Sequence, residues 1–312
     1  MNAPRPYPGF WQAALLCVVF VAVQSALVMP FVVAQMVLKV RLIDHPAVIA
    51  VINPLACGLT LLVGHFIGRQ SLRQALPIGS VPVALLGCAV LTLTGAVILL
   101  SEADNLFRTL LPMPEWVLKI LQSTFASERS PVGSLVVLVL VAPLTEEPLC
   151  RGLMLHGFLG RYSQRKAVLF SALLFAGLHM NPWQFISAFA LGGLLGWWFL
   201  RTGSLVPCIF GHAFYNGCVF AAPYLPFEIP GFNQGDALAP TGFQPWWLNL
   251  IGVALTLTGL VLFWKMTSGM KPCLPELPVR VPPLLAALPP MIADGPAVPT
   301  GTELAPPVIG AP

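Results

Sequence analysis

Apolar residues in this chain do not alternate with polar ones; they gather in long runs broken by short segments rich in proline, glycine and charge. A helix crossing about 30 Å of hydrocarbon at about 1.5 Å per residue needs about 20 residues, and that template fits about eight times. The runs are residues 11–38, 47–67, 81–100, 132–160, 167–181, 184–200, 204–222 and 246–265, and the fifth and sixth are short enough to predict tilted or buried helices. The runs are too long for barrel strands, and in lipid a helix satisfies its own backbone hydrogen bonds. The expected fold is therefore an all-α, polytopic transmembrane helical bundle.

The same pattern divides the chain. Residues 1–130 read as N-terminal transmembrane helices with an outer loop, 131–222 as a core in which the polar interruptions concentrate, 223–268 as a second outer loop with the last span, and 269–312 as a disordered tail. In the tail prolines recur at Pro272, Pro275, Pro278, Pro282 and Pro283, a spacing that admits neither helix nor sheet. The first run, Phe10 to Leu38, exceeds a signal-peptide core and has no convincing small-residue cleavage site, so it is expected to stay as the first span. Within 101–131, Trp116 to Phe125 mixes apolar and polar positions, as an interfacial helix or a segment packed under the bundle would.

Composition agrees: 57% of the 312 residues are hydrophobic and 9% charged, against roughly 25% charged in soluble domains. The net charge of +4 is scattered through short loops, which argues against nucleic acid as a partner and bears on topology instead. With a cytoplasmic N-terminus, Arg5, Arg69, Arg73, Arg161, Arg165, Lys166, Arg201, Lys265, Lys271 and Arg280 lie inside. Lys39, Arg41, Arg108, Lys119 and Arg129 then lie outside, and this inner excess favours cytoplasmic N- and C-termini. The cysteines form no CxxC pair and have no histidine at zinc-finger spacing; Cys17, Cys57, Cys88, Cys208 and Cys218 read as small core residues.

Glu146, Glu147 and Arg151 interrupt the run 131–160. A charge at mid-bilayer costs at least about 2.5 to 3.5 kcal/mol, so all three must face protein or a water-filled cavity, and a functional site is the default meaning. Glu147 and Arg151 are four apart and share a helix face, in the order that favours an ion pair. Glu146 is turned about 100° from its neighbour and has no partner on its own helix, which suits a general base; a protonated glutamate bonded across helices fits the same pattern. Pro143 and Pro148 frame the pair, and Pro148 is expected to delete the bond to the Leu144 carbonyl and kink the helix.

His179 and His212 lie in two further apolar runs, with Asn216 one turn after His212 on the same face. An imidazole and a carboxamide presented together suit a metal or a developing oxyanion, and interhelical hydrogen bonding is the plainer alternative. Glu146, His179 and His212 lie about 21, 18 and 12 Å from the inner ends of their helices, so all three can meet inside the bilayer. His45, His65 and His156 read as structural, and Gly192, Gly193 and Gly196 as positions of close helix packing. HExxH, GxSxG and Walker sequences do not occur, so zincin, serine-hydrolase and P-loop mechanisms lose their warrant.

Thr145-Glu146-Glu147-Pro148-Leu149-Cys150-Arg151-Gly152, then Phe175 to His179, then His212 to Asn216 resemble the EExxxR, FxxxH and HxxxN or HxxxB motifs of the CPBP intramembrane proteases, the CAAX-protease and bacteriocin-processing family. Asn181-Pro182, Gly192 to Trp198 and Arg201 to Ser204 are also similar to that family's core. The resemblance covers about residues 130–222, under a third of the chain, and marks 131–222 as a CPBP-like catalytic core. It implies an endopeptidase like the type II CAAX prenyl endopeptidases; the expected location is a bacterial inner membrane. The substrate would be a membrane-associated protein or peptide cut near its anchored terminus, in a CAAX-type tail or a sorting or leader segment.

By that resemblance Glu146, helped by His179, activates water, His212 and Asn216 stabilise the oxyanion, and Glu147 with Arg151 shapes the site. The family has been described both as metal-dependent and as a glutamate-type protease. Glu146, His179 and His212 could supply three zinc ligands, but one glutamate serves poorly as both ligand and base, which favours the metal-free reading. Pro148 and Cys150 stand where larger apolar residues are usual, which bears on the shape of the substrate cavity. Two other classes compete: a non-proteolytic immunity or scaffold protein that keeps the pocket for binding, and a proton-coupled transporter. The intact motif residues speak against the first, and the lack of a second copy of the Glu146 segment against the second.

Overall fold

The computed structural model describes residues 6–40, 42–43, 45–68, 76–119, 131–233 and 242–270. Among these no strand occurs, and the long helices are α1 (Phe10–Leu38), α2 (Pro46–Gly68), α3 (Val83–Leu110), α4 (Pro131–Leu159), α5 (Gln164–Leu178), α6 (Pro182–Thr202), α7 (Val206–Ala221) and α8 (Trp246–Thr267). Six helices, all but α5 and α7, are long and apolar enough to cross a membrane. The fold is thus the expected all-α polytopic bundle. Large apolar side chains such as Trp11, Met36, Phe66 and Val83 point outward, where a bilayer would cover them, and Leu93, Leu153, Phe158, Leu195 and Trp198 fill the interior.

Two details differ from the apolar pattern. The short helices are α5, with 15 residues, and α7, with 16, whereas the sixth run forms a full span of 21. Asn181 explains this: its side chain accepts the Trp183 N–H at 3.1 Å and starts α6 early, while Gly203, at φ 63°, ends it. The second difference lies in α3, which continues beyond residue 100 to Leu110, so Ser101 to Leu110 are helix and not outer loop. Polar partners hold that extension. Asp104 pairs with Arg108 at 2.7 Å, and Glu102 accepts from the Gln244 N–H at 2.9 Å and from Asn105 Nδ2 at 3.1 Å. Residues 115–119 are helical; the rest of the segment Trp116 to Phe125 and the tail from residue 271 lie outside the described residues.

Glycine sets the closest approaches. A Cβ at Gly95 on α3 would run into the Gly252 carbonyl and Thr256 of α8, and one at Gly259 into Thr92. Lipid offers no hydrophobic force between helices, so such contact of small residues is what joins them. A Cβ at Gly192 would lie 3.1 Å from both Ala172 Cα and Phe175 Cδ1, and one at Gly196 3.2 Å from Val168 Cγ1. Both are packing positions as expected; Gly193 is not, since nothing lies within 4 Å of its Cβ position.

Helix α4 matters most for the site. Two of its stretches, Val137–Val141 and Pro148–Leu155, are wound as wide π turns, and each adjoins a proline. Proline has no N–H to donate and its ring crowds the carbonyl four residues back; a wider turn relieves the crowding. Pro148 itself keeps helical angles, φ −55° and ψ −41°, so the chain answers it by widening the helix.

Candidate active site

Glu147 and Arg151 are completely buried. Arg151 Nη1 donates to Glu147 Oε1 at 2.8 Å, and Nη2 donates to the Gly192 carbonyl of α6 at 3.0 Å. The ion pair read from the i,i+4 spacing is therefore present, and it extends to a second helix. Gly192, legible in sequence only as a packing glycine, is also the acceptor that fixes the guanidinium. From α7, His212 Nδ1 approaches the same Glu147 oxygen at 2.8 Å. The carboxylate accepts from Arg151, so the imidazole donates from Nδ1 and leaves Nε2 as its other functional nitrogen.

Phe175 of α5 connects these groups to His179. The Arg151 guanidinium carbon lies 4.5 Å from the centre of its ring. The rings of His179 and His212 meet it edge-on at centroid distances of 5.0 and 5.6 Å. His179 closes α5, and its Nδ1 lies 2.9 Å from the Phe175 carbonyl, which can only accept, so His179 also has Nδ1 tied and Nε2 left. The sequence contained a signal for Phe175, four residues before His179 on one face, but not for its contact with Arg151 and His212.

Side chains from four helices cap carbonyls of α4. Cys57 Sγ of α2 donates to the Thr145 carbonyl at 2.9 Å, and Ser171 of α5 to that of Cys150 at 3.1 Å. Thr145 Oγ1 donates to the carbonyls of Val141 and Ala142, both at 2.9 Å. Asn216 Nδ2 of α7 donates to the Leu138 carbonyl, also at 2.9 Å. One amide hydrogen of Asn216 is therefore committed to the backbone. Cys150, expected beside Glu146 in a substrate cavity, is fully buried among Phe175, Ala176 and Ala188.

Glu146 is half-buried, and among the described residues no hydrogen bond or ion pair engages it. Thus His212 meets Glu147 and not Glu146, whereas the depth arithmetic left the choice open. Among the described residues no group of three His, Cys, Asp or Glu is placed to hold a metal, so Glu146, His179 and His212 do not form a ligand set in this arrangement. A cavity of about 460 Å³ opens at the turn that follows His179, lined by Phe107, Ala176, Gly177, Met180, Phe185 and Ile186 among others.

Residues 128–218 match the family model described as type II CAAX prenyl endopeptidase Rce1-like. No curated protein and no solved structure matches the chain. The matched segment contains α4 to α7 almost whole, and with them Glu146, Glu147, Arg151, Phe175, His179, Gly192, His212 and Asn216. That family consists of proteases, and its match together with the apolar helices supports an integral membrane protease acting on membrane-associated peptides. The match, over residues 128–218 and under a third of the chain, supports a likeness of that segment to the CPBP, CAAX-protease-like family.

Proposed function

We propose that this chain is an intramembrane endopeptidase that hydrolyses a peptide bond near a membrane-anchored terminus, with Glu146 as the general base. The observation that supports this assignment is the unequal use of the two glutamates. Glu147 is committed to Arg151 and His212, whereas Glu146 has no such engagement among the described residues. In this reading Glu146 takes a proton from water and the hydroxide formed attacks the peptide carbonyl. Glu146 then returns the proton to the departing amine. His179, held through Nδ1, helps orient the water through Nε2.

The oxyanion would be met by His212. Its Nδ1 is held by Glu147, so Nε2 is the nitrogen turned to the developing charge. The family resemblance implies an oxyanion role for Asn216 as well; with one of its two amide hydrogens already on Leu138, we give the main donor role to His212. The apolar cavity after His179 would receive the hydrocarbon part of a membrane-anchored tail, of CAAX type or from a sorting or leader segment. We place both termini on the cytoplasmic side, from the distribution of Lys and Arg, and propose a bacterial inner membrane as the location.

The test is a comparison of protein termini in membranes of cells carrying the wild-type chain and cells carrying Glu146→Gln, which keeps volume and removes the base. New termini produced only by wild type are the expected result, and they name the substrate. Identical termini at equal protein levels sink the proteolytic reading.

A further inference from the structure

The first wide turn of α4 and the asparagine of α7 explain one another. In Val137–Val141 the N–H of Ala142 reaches back five residues to the Val137 carbonyl. In that register the next carbonyl, Leu138, would receive the N–H of residue 143, and Pro143 has none. A carbonyl without a donor is expensive in the interior of a membrane protein, because no water reaches it. Leu138 instead receives Asn216 Nδ2 at 2.9 Å from the neighbouring helix. Asn216 stands one turn beyond His212, whose Nδ1 lies 2.8 Å from Glu147. Helix α7 therefore grips α4 twice, once at the proline-orphaned carbonyl and once at the buried carboxylate.

We infer that Asn216 is a positioning residue that stands in for the N–H missing at Pro143. This lock fixes α7 on α4 and thereby sets the His212 imidazole beside Glu147. The catalytic consequence rests on the proteolytic reading above; the lock itself rests on the geometry. The inference separates Asn216 from a direct donor to the oxyanion, because a lock becomes dispensable when position 143 regains an N–H, and an oxyanion donor does not.

The experiment is a double-mutant cycle on the full-length chain in bilayers: wild type, Asn216→Leu, Pro143→Ala and the double variant. Leucine keeps the branched shape of asparagine and removes the donor. Cleavage of the substrate found by the termini comparison gives kcat and its pH profile, and thermal unfolding gives the melting midpoint. With Pro143 present, Asn216→Leu is expected to lower kcat at least about tenfold with an altered pH profile. In the Pro143→Ala background the same change should cost less than about threefold and leave the profile as in Pro143→Ala alone. Equal losses in both backgrounds overturn the inference and return Asn216 to the reacting atoms.

The melting midpoints decide the lock even if the proteolytic reading fails. Asn216→Leu should lower the midpoint by about 2 to 4 °C beside Pro143 and hardly at all in the Pro143→Ala background; additive losses overturn it. Should Asn216→Leu fail to accumulate, recovery of folded protein in the double variant supports the lock, and no recovery overturns it.

Discussion

The seam between α3 and α8 and the cluster between α4, α5, α6 and α7 both place small or polar residues inside a membrane bundle, but they satisfy them differently. Along the seam Thr92 donates to Cys88 and Thr94 to Val90 of their own helix, at 2.8 and 2.9 Å, glycines permit contact, and a cross-helix bond, Asn249 to Glu102 at 3.3 Å, lies toward the start of α8. In the cluster the bonds cross between helices, from Arg151 to Gly192, from His212 to Glu147 and from Asn216 to Leu138. A polar group satisfied within its own turn is indifferent to its neighbours. One satisfied across helices fixes an arrangement, and that is what chemistry on a buried peptide bond requires.

The largest expected effect is on the residue that neither kind of bonding occupies. We predict that Glu146→Gln lowers cleavage at least about 100-fold, the range of a lost general base, while the protein still folds and inserts. Full activity in that variant would sink the mechanism. Glu147→Gln should come next, since Arg151 would keep its burial and lose its counter-charge. A loss of about 3 to 5 kcal/mol is expected in unfolding measurements, with cleavage falling as His212 loses its acceptor. A stable but inactive Glu147→Gln protein beside a fully active Glu146→Gln one would mean that the two glutamates have been assigned in reverse.

The seam should respond in stability alone. Gly95→Leu is predicted to cost about 1 to 3 kcal/mol by forcing α3 from α8, with cleavage per folded molecule unchanged. A drop in kcat at intact stability would abolish the distinction between the two regions. Phe175→Leu sharpens the contrast: it removes the ring face from Arg151 and the edge contacts with both imidazoles. We expect about 0.5 to 2 kcal/mol in stability and a larger proportional loss in kcat. Thr92→Val should change stability by less than about 1 kcal/mol, because its hydroxyl serves its own helix; a larger loss would show that the seam too depends on polar contacts.

Much of the site could be read from the one-dimensional pattern because it is local. Glu147 and Arg151 pair since four residues make a helical turn, and Glu146 diverges since a neighbouring residue points about 100° away. The partner of His212 could not be read in this way. Helical-wheel geometry assumes a uniform angle per residue, and the wide turns at Val137–Val141 and Pro148–Leu155 change the facing of everything between them. The prolines that cause those turns were visible in the sequence, but whether a helix answers proline with a kink or with a widened turn depends on the donors its neighbours can supply.

By itself, then, the sequence determined that the chain is a bundle of apolar helices, where most of those helices lie, and which ionisable residues are too costly to be buried without purpose. These follow from hydrocarbon thickness, backbone satisfaction and the free energy of burying charge, all properties of short stretches of chain. Only the tertiary structure decided that His212 belongs to Glu147, that Gly192 holds Arg151 through its carbonyl, and that Asn216 reaches the carbonyl that Pro143 leaves bare. Such bonds join residues far apart in the chain, and their partners are chosen by the rotation and depth of one helix against another, which no local pattern encodes.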